Sequence, residues 1–187
     1  MTDPADLWRP EFLDALRLLA RISDALAARG RPRPILVGGG AVEYWSGSAM
    51  MTGDIDLCTP IQSEVEAEMK RHGFVKPSGP GMLTRGWIHP ALGLGFEIVG
   101  ASPLDGQVDA AHIALIKDVS DGAAFAVIVV EDLIADRMGQ FASGSAPEMR
   151  AQARELLALH PDTDRAYLER RVRFESAGDY GADDIAR

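Results

Sequence analysis

Hydrophobic residues recur every three or four positions along several stretches of the chain, the spacing of helices that bury one face. Gly30 is suited to end the first of these helices, and Asp162 is suited to cap the last. The six helices predicted in this way span residues 10–29, 41–45, 60–72, 131–141, 145–160 and 162–174. Helices therefore account for a large part of the predicted structure.

A second pattern, of short apolar runs and apolar residues at alternate positions, predicts strands because successive side chains of a strand face opposite sides. The predicted strands span residues 35–37, 54–58, 74–76, 83–89, 94–99 and 123–130. Ile113–Ile116 fits either a strand or the end of a helix. Strands and helices are mixed up to residue 130, and only helices follow. We therefore predict an α/β (α+β) fold, with a small mixed, twisted sheet, flanking helices and further helices at the C-terminus.

The length of the chain, 187 residues, suits a single globular unit with a sizeable hydrophobic core. Within this unit, we assign residues 1–130 to an α/β core and residues 131–175 to a C-terminal helical part. Residues 176–187 are rich in Gly, Asp and Ala, and we predict that they form a flexible tail.

Composition and charge narrow the functional classes. Asp and Glu outnumber Lys and Arg by 28 to 19, which gives a net charge of −9. Binding of duplex DNA is not expected, because it relies on a basic surface. The single cysteine, Cys58, excludes an intrachain disulfide and suits a reducing cytoplasm. The chain has neither the pattern of a signal peptide nor an apolar run long enough to span a membrane, so we expect a soluble cytoplasmic protein.

Two aspartates carry the first candidate chemistry. Asp54 and Asp56 occupy alternate positions of a predicted strand, so both carboxylates point to one face while the apolar residues beside them point to the other. Neighbouring carboxylates repel each other unless a cation lies between them. A hard divalent cation prefers carboxylate oxygen, so the pair predicts a metal site. The alternative is a pair of solvated surface acids.

Three consecutive glycines, Gly38, Gly39 and Gly40, follow the predicted strand at residues 35–37 and precede a short helix. Without a Cβ the backbone can approach a phosphate chain closely, and the N-terminus of a helix favours anions. The P-loop motif is excluded because no Gly-Lys-Ser/Thr follows. The dinucleotide-binding motif requires a third glycine at the position that Glu43 occupies. The glycines thus predict a phosphate-binding turn of another kind.

The order of these motifs resembles a known family. Val37–Gly47 (VGGGAVEYWSG) followed by Thr52–Leu57 (TGDIDL) is similar to the nucleotidyltransferase superfamily of DNA polymerase β. The similarity is greater to its small bacterial members, the minimal nucleotidyltransferase-like proteins, some of which are toxins of toxin–antitoxin pairs. Val129–Arg137, an apolar strand end that continues into EDLIADR, extends the resemblance. The resemblance implies a nucleotidyltransferase fold.

The resemblance also implies a third acid on a neighbouring strand, and Glu97 fits because it lies between apolar residues of a predicted strand. In the family, the triad that corresponds to Asp54, Asp56 and Glu97 binds Mg²⁺, with Mn²⁺ as an alternative, and carries out catalysis. The third acid assists deprotonation of the attacking hydroxyl. Asp105 and Asp109 are weaker candidates because their surroundings predict a loop. The alternative for Glu97 is an exposed acid on an edge strand.

The implied activity is the transfer of a nucleoside monophosphate from an NTP to a hydroxyl acceptor, with release of pyrophosphate. The acceptor is a protein, an RNA or a small molecule, and the resemblance also admits an antitoxin or a second copy of the chain as partner. Six residues are expected to line the phosphate site, namely Gly38, Gly39, Gly40, Ser46, Ser48 and Thr52.

The chain departs from the family at two places. Many members carry serine directly after the first glycine of the motif, where this chain has only glycines. Close relatives often carry a basic residue two positions before the threonine, where this chain has Met50. Arg85 and Arg137 are candidates to supply positive charge. These departures favour, as an alternative, a non-catalytic nucleotidyltransferase-like protein that binds a nucleotide or a protein partner.

Overall fold

The computed structural model describes residues 7–77, 86–117, 119 and 122–187. The chain forms two compact units, Met1–Ile128 and Val129–Arg187. The fold is mixed α/β, as the sequence predicts, with a sheet in the first unit and helices in both. Within the described ranges, no helix has both the length and the apolar character needed to cross a bilayer.

The first unit is built on a mixed sheet. Its described strands are β1 (Ile35–Val37), β2 (Asp54–Cys58), β3 (Trp87–Ile88), β4 (Gly95–Gly100), β5 (Ile113–Ile116) and β6 (Phe125–Ile128). They lie in the order β3-β4-β2-β1-β6-β5. Strand β1 is parallel to β6 and antiparallel to β2, and β2 is parallel to β4. This order places the strand that carries Asp54 and Asp56 beside the strand that carries Glu97.

The predicted strands differ from the observed ones mainly at the edge of the sheet. Among the described residues, the stretch predicted as a strand at residues 74–76 makes a single bridge, between Val75 and Ile88. Of the strand predicted at residues 83–89, only Trp87–Ile88 pairs with β4, and residues 83–85 lie outside the described ranges. Because an edge strand pairs on one side only, local sequence defines its length less well than that of an internal strand.

The segment between β4 and β5 has little regular structure. It forms two short 3₁₀ turns, Pro103–Gly106 and Ala110–His112. Ile113–Ile116, which fits either type of element by sequence, is a strand because it pairs with β6 over its whole length.

Three described α-helices belong to the first unit: α1 (Pro10–Ala27), α2 (Gly38–Ser46) and α3 (Gln62–Arg71). Helix α1 ends two residues before the predicted end, and Gly30 follows with a φ of +68°. Helix α2 begins at Gly38, three residues before the predicted start at residue 41, because the glycines themselves form its first turn. The fully buried apolar residues of α1 are Phe12, Ala15, Leu16, Leu19, Ala20, Ile22 and Leu26.

The second unit contains α4 (Val130–Ala142), α5 (Met149–Leu159) and α6 (Arg165–Glu175). Buried apolar residues of the three helices form its core: Leu133, Ile134, Met138, Leu156, Leu168 and Val172. The fully buried Asp132 accepts hydrogen bonds from the Tyr167 hydroxyl (2.8 Å) and from Arg171 Nε (2.6 Å). This unit therefore has its own apolar core and its own buried polar network.

Two predicted helix starts in this unit are wrong. Helix α5 begins at Met149 rather than at residue 145. Helix α6 is capped by Asp164, whose Oδ1 accepts the amides of Ala166 (3.0 Å) and Tyr167 (2.9 Å), whereas the sequence predicts Asp162 as the cap. Either aspartate satisfies the local preference for an acid before a helix, so local sequence alone does not decide between them.

The last residues of the chain contact the helices of the second unit, whereas the flexibility expected for residues 176–187 stays a prediction. Ile185 is fully buried, and the carbonyl of Asp184 accepts a hydrogen bond from Arg150 Nη2 (2.6 Å). The amide of Ala182 donates to Glu169 Oε2 (2.6 Å). These contacts join the C-terminal segment to α5 and α6.

Candidate metal centre

Strands β2 and β4 bring the three predicted acids to one side of the sheet. The two strands are parallel neighbours, and Asp56 pairs with Glu97 in register. Asp54 lies two residues before Asp56 and therefore points to the same face. Ile55 and Phe96, at the alternate positions, are fully buried. Strand β4 lies between β3 and β2, so Glu97 is on an internal strand. The alternative interpretation, an exposed acid on an edge strand, is therefore wrong.

The three carboxylates form a cluster that fits a metal ion. One oxygen from each of Asp54, Asp56 and Glu97 lies within 4.8 Å of the others. Asp54 is exposed at the start of β2, whereas Asp56 and Glu97 are half-buried. Three carboxylate oxygens with access to solvent suit Mg²⁺ or Mn²⁺, which take oxygen ligands and usually retain waters or phosphate oxygens. Like charges at this separation repel one another, and a bound cation would relieve that repulsion.

The other two acids considered in the sequence lie elsewhere. Asp105 belongs to a 3₁₀ turn and has a φ of +52°. Asp109 caps the next 3₁₀ turn by accepting the amide of Ala111 at 3.0 Å. Neither belongs to the cluster.

The first two glycines of α2 lie directly against the acids and the threonine beside them. Val37 pairs with Asp56 across β1 and β2, so the turn that follows Val37 approaches the Asp56 carboxylate. Gly38 has a φ of +57°, and a Cβ there would lie 2.1 Å from Asp56 Oδ2. The amide of Gly39 donates to the same oxygen at 3.2 Å, and a Cβ on Gly39 would lie 2.5 Å from Thr52 Oγ1. The close contacts with Asp56 and Thr52 therefore explain the glycines at both positions, whether or not the two residues also bind a phosphate.

Gly40 has a different environment. It is buried, and a Cβ there would lie 2.8 Å from Leu36 Cδ1 and 3.5 Å from Ile55 Cα. A small residue at this position lets α2 pack closely on the sheet. Its predicted place in the phosphate site stays a prediction.

Thr52 connects the glycine turn with the acids. Its hydroxyl lies 3.3 Å from Asp54 Oδ1, and it faces Gly39 across the start of α2. The Thr52 side chain therefore lies between the acids and the N-terminus of α2, so a molecule that contacts both would also contact Thr52.

The hydroxyls of the two serines, by contrast, hydrogen-bond to other groups of the protein near the end of α2. Ser46 Oγ accepts the amide of Met50 at 3.1 Å. Ser48 Oγ donates to Glu43 Oε1 at 2.8 Å and accepts the amide of Arg9 at 3.1 Å. Phosphate binding by these hydroxyls stays a prediction.

Two residues near the site are not identified by sequence reasoning. Glu43 lies in α2 with a fully buried side chain, and Arg9 Nε donates to its Oε1 at 2.6 Å. The hydrogen bonding with Glu43 raises the pKa of the Arg9 guanidinium. The one local signal was an acid within the otherwise apolar segment GGGAVEYW, which marks a buried charge that needs a partner.

For the two arginines considered as sources of positive charge, a role at the cluster stays a prediction. Arg85 lies outside the described residues. Arg137 belongs to the second unit, where its Nη1 lies 3.6 Å from Asp136 and 3.4 Å from Gln140.

A cleft of about 420 Å³ opens beside the acids. Asp54 and Glu97 line one part of it, and Ile88, Leu92 and Leu94 line another. The volume lies in the range of small-ligand pockets, and the lining combines metal-binding oxygens with an apolar wall. The cleft can therefore accommodate a ligand that also contacts a cation held by the acids.

Cys58, at the end of β2, does not suit a catalytic nucleophile. Burial, with a smaller contribution from Asp56, raises the pKa of its thiol to about 11. Because the thiolate is the reactive form, this thiol is expected to be inert at neutral pH.

No protein-family model matches the chain, and no curated protein sequence matches it significantly. Among solved structures, it is similar to an antigenic nucleotidyltransferase-like protein from Paracoccidioides brasiliensis, with a TM-score of 0.61 and 14% sequence identity. The match covers 97% of this chain and 94% of that one. At this identity the similarity shows a shared fold, that of a nucleotidyltransferase-like protein.

Proposed function

We propose that the protein is a Mg²⁺-dependent nucleotidyltransferase that moves a nucleoside monophosphate from an NTP to a hydroxyl acceptor. The observation that carries the proposal is the cluster of Asp54, Asp56 and Glu97 at the N-terminus of α2, in a fold that resembles a nucleotidyltransferase-like protein. Neither feature is sufficient alone, because acidic clusters are common and one fold serves many functions.

The three acids would hold the cation through carboxylate oxygen. Bound there, Mg²⁺ would supply positive charge to phosphate oxygens whose charge grows during transfer. Mn²⁺ has the same preference for oxygen and is the natural substitute in experiments.

Each part of the site has a role in the proposed transfer. The acceptor oxygen forms a bond to the α-phosphorus while the bond from that phosphorus to the pyrophosphate oxygen breaks. Glu97 would accept the proton of the acceptor hydroxyl at a carboxylate oxygen. The start of α2, with Gly38 and Gly39, presents backbone dipoles that favour the phosphate chain.

The acceptor is proposed to enter through the cleft beside Asp54 and Glu97. A protein hydroxyl, an RNA end and a small-molecule hydroxyl all meet the chemical requirement. An antitoxin or a second copy of the chain remains a proposed partner on the basis of the family resemblance.

The test is to incubate the protein with each NTP, labelled at the α-phosphate, together with a cell lysate and Mg²⁺. We expect label in an acceptor and release of pyrophosphate, with both lost in Asp56→Asn and in the presence of EDTA. Labelling that persists in Asp56→Asn would contradict the assigned site. The absence of pyrophosphate release with all four NTPs would contradict the proposed activity.

One set of contacts favours a second candidate, a non-catalytic protein that binds a nucleotide or a protein partner. The hydroxyls of Ser46 and Ser48 hydrogen-bond to other protein groups, and Arg9 forms an ion pair with Glu43. This arrangement favours weak binding of a triphosphate. Calorimetric titration of each NTP with and without Mg²⁺ separates the candidates, because only the enzyme requires metal-dependent binding.

A further inference from the structure

The loop at residues 47–53 joins α2 to β2 and ends directly before Asp54. Burial of apolar side chains contributes little to its conformation, because Ala49 is exposed and Met51 is 73% exposed. Gly47 and Ser48 both have a φ of +59°, a conformation that costs energy for serine. Other interactions must therefore hold the loop in place.

The carboxylate of Glu43 provides these interactions. Oε1 accepts hydrogen bonds from Arg9 Nε (2.6 Å) and Ser48 Oγ (2.8 Å). Oε2 accepts hydrogen bonds from Thr52 N (2.6 Å) and Arg9 Nη2 (3.1 Å). One fully buried side chain thus holds the loop at its second residue and near its end.

Arg9 completes the arrangement from a distant part of the sequence. Its Nη2 also donates to the carbonyl of Thr52 at 2.7 Å, and its backbone amide donates to Ser48 Oγ at 3.1 Å. The N–H of Thr52 is therefore held by Glu43, while the carbonyl of the same residue is held by Arg9. A single ion pair therefore fixes both backbone polar groups of Thr52.

The position of Thr52 matters because of what it contacts. Its hydroxyl lies 3.3 Å from Asp54 Oδ1, at the start of the strand that carries the metal ligands. The hydroxyl also limits the space at Gly39, where a Cβ would lie 2.5 Å away. A shift of Thr52 would consequently move Asp54 and alter the start of α2.

A buried ion pair contributes little to stability relative to an apolar pair of similar size, because both charges must leave water. What the pair supplies is a fixed geometry. We propose that Arg9 and Glu43 are positioning residues of the metal centre, which fix Thr52 and through it the carboxylate of Asp54. This inference rests on the proposed function, since it assumes that the acids bind a cation.

Glu43→Gln is the first variant, because glutamine keeps the size of the side chain. Its amide group carries an N–H₂ that would face the donors of Arg9, Ser48 or Thr52, so the loop loses part of its attachment. Arg9→Lys is the second, because lysine keeps the charge but its single amine cannot reproduce the planar guanidinium contacts with Glu43 and Thr52. Arg9 is partly exposed, which makes this variant the more tolerant one for folding.

The same unit offers a matched control. Glu68 is almost fully buried, and its Oε2 accepts hydrogen bonds from Arg29 and Arg71, each at 2.6 Å. The contacts of Glu68 do not include the loop at residues 47–53. Glu68→Gln therefore removes the same charge from a similarly buried carboxylate without touching the proposed positioning contacts.

The measurement is the dissociation constant of Mn²⁺, from electron paramagnetic resonance of free Mn²⁺ at a temperature where every variant is folded by circular dichroism. We expect Glu43→Gln and Arg9→Lys to weaken binding about 10-fold or more, the usual effect of removing a residue that orients a metal ligand. Glu68→Gln should bind as the wild type does.

The outcomes separate this inference from the proposed function. Wild-type protein without Mn²⁺ binding would contradict the metal centre, and the inference would fail with it. Wild-type binding that both variants retain would overturn only the positioning role. An equal loss of Mn²⁺ affinity in Glu68→Gln would also overturn the positioning role, because a general destabilisation of the first unit would then explain the weaker binding. If Glu43→Gln fails to fold, Arg9→Lys decides.

Discussion

At the scale of single residues, Asp56 combines a contact within the protein with a predicted role at the metal. It accepts the amide of Gly39 at 3.2 Å while lying close to the carboxylates of Asp54 and Glu97. The hydrogen bond from Gly39 requires only an acceptor oxygen on residue 56. The repulsion and the affinity for metal depend on the negative charge of the Asp56 carboxylate.

Asp56→Asn should therefore leave the Tm of the metal-free protein unchanged or higher, because it removes repulsion but keeps an acceptor for Gly39. The same variant should lose the stabilisation by metal, which for the wild type amounts to about 2.7 kcal/mol at a metal concentration about 100 times the dissociation constant. Thermal unfolding with Mg²⁺ and with EDTA measures both effects. A large drop in Tm without metal would instead assign Asp56 a structural role.

The glycines allow packing to be distinguished from function. Gly40→Ala should cost about 1–3 kcal/mol of stability, because the new Cβ meets Leu36 inside a packed core. It should leave metal affinity intact, since its contacts lie on the core side of α2.

Gly38→Ala should affect both properties. Its positive φ costs an alanine about 1–2 kcal/mol. Its Cβ would also collide with Asp56 Oδ2, so binding of Mn²⁺ should weaken. A denaturant midpoint and a Mn²⁺ dissociation constant for each variant give the comparison. Equal metal affinities in the two variants would contradict the assigned contact between Gly38 and the site.

At the scale of elements, local sequence pattern was sufficient for the strands that form the site. Strands β1 and β2 have the predicted bounds, because they are internal strands with clear alternation or short apolar runs ended by glycine or proline. The pairing of Asp56 with Glu97 follows from the same alternation once β2 and β4 are neighbours. Alternation alone therefore predicts a common face for Asp54 and Asp56, whereas the place of Glu97 on a neighbouring strand was implied by the family resemblance.

Local pattern was not sufficient where distant contacts decide. Arg9 and Glu43 are 34 positions apart, and no periodicity indicates that they meet. The start of α2 depends on the approach of Gly38 to Asp56, which only the pairing of β1 with β2 creates. The choice of cap for α6 likewise depended on which of two nearby aspartates the preceding turn places at the helix start.

The cap of α6 provides a test at this scale. Asp164→Ala should destabilise the protein by about 1 kcal/mol, because the amides of Ala166 and Tyr167 lose their acceptor. Asp162→Ala is the matched control and should have little effect on stability. Urea unfolding of the two variants decides, and a larger loss in Asp162→Ala would show that the cap is assigned to the wrong residue.

At the scale of the whole molecule, the residues of the candidate site all come from the first unit. The acids, the glycines, Thr52 and the pair formed by Arg9 and Glu43 lie before Ile128. The second unit contributes a separate core with a buried network around Asp132. The net charge of −9 makes a bound cation favourable for the molecule, although the three clustered acids determine where it binds.

The most direct test of the metal centre is anomalous X-ray diffraction from crystals grown with Mn²⁺ and a non-hydrolysable NTP analogue. We expect an anomalous peak between the carboxylates of Asp54, Asp56 and Glu97, with the phosphate chain of the analogue extending from it towards Gly38. A peak at other residues, or an analogue bound with no metal at the three acids, would contradict the assignment of this cluster as the catalytic metal site.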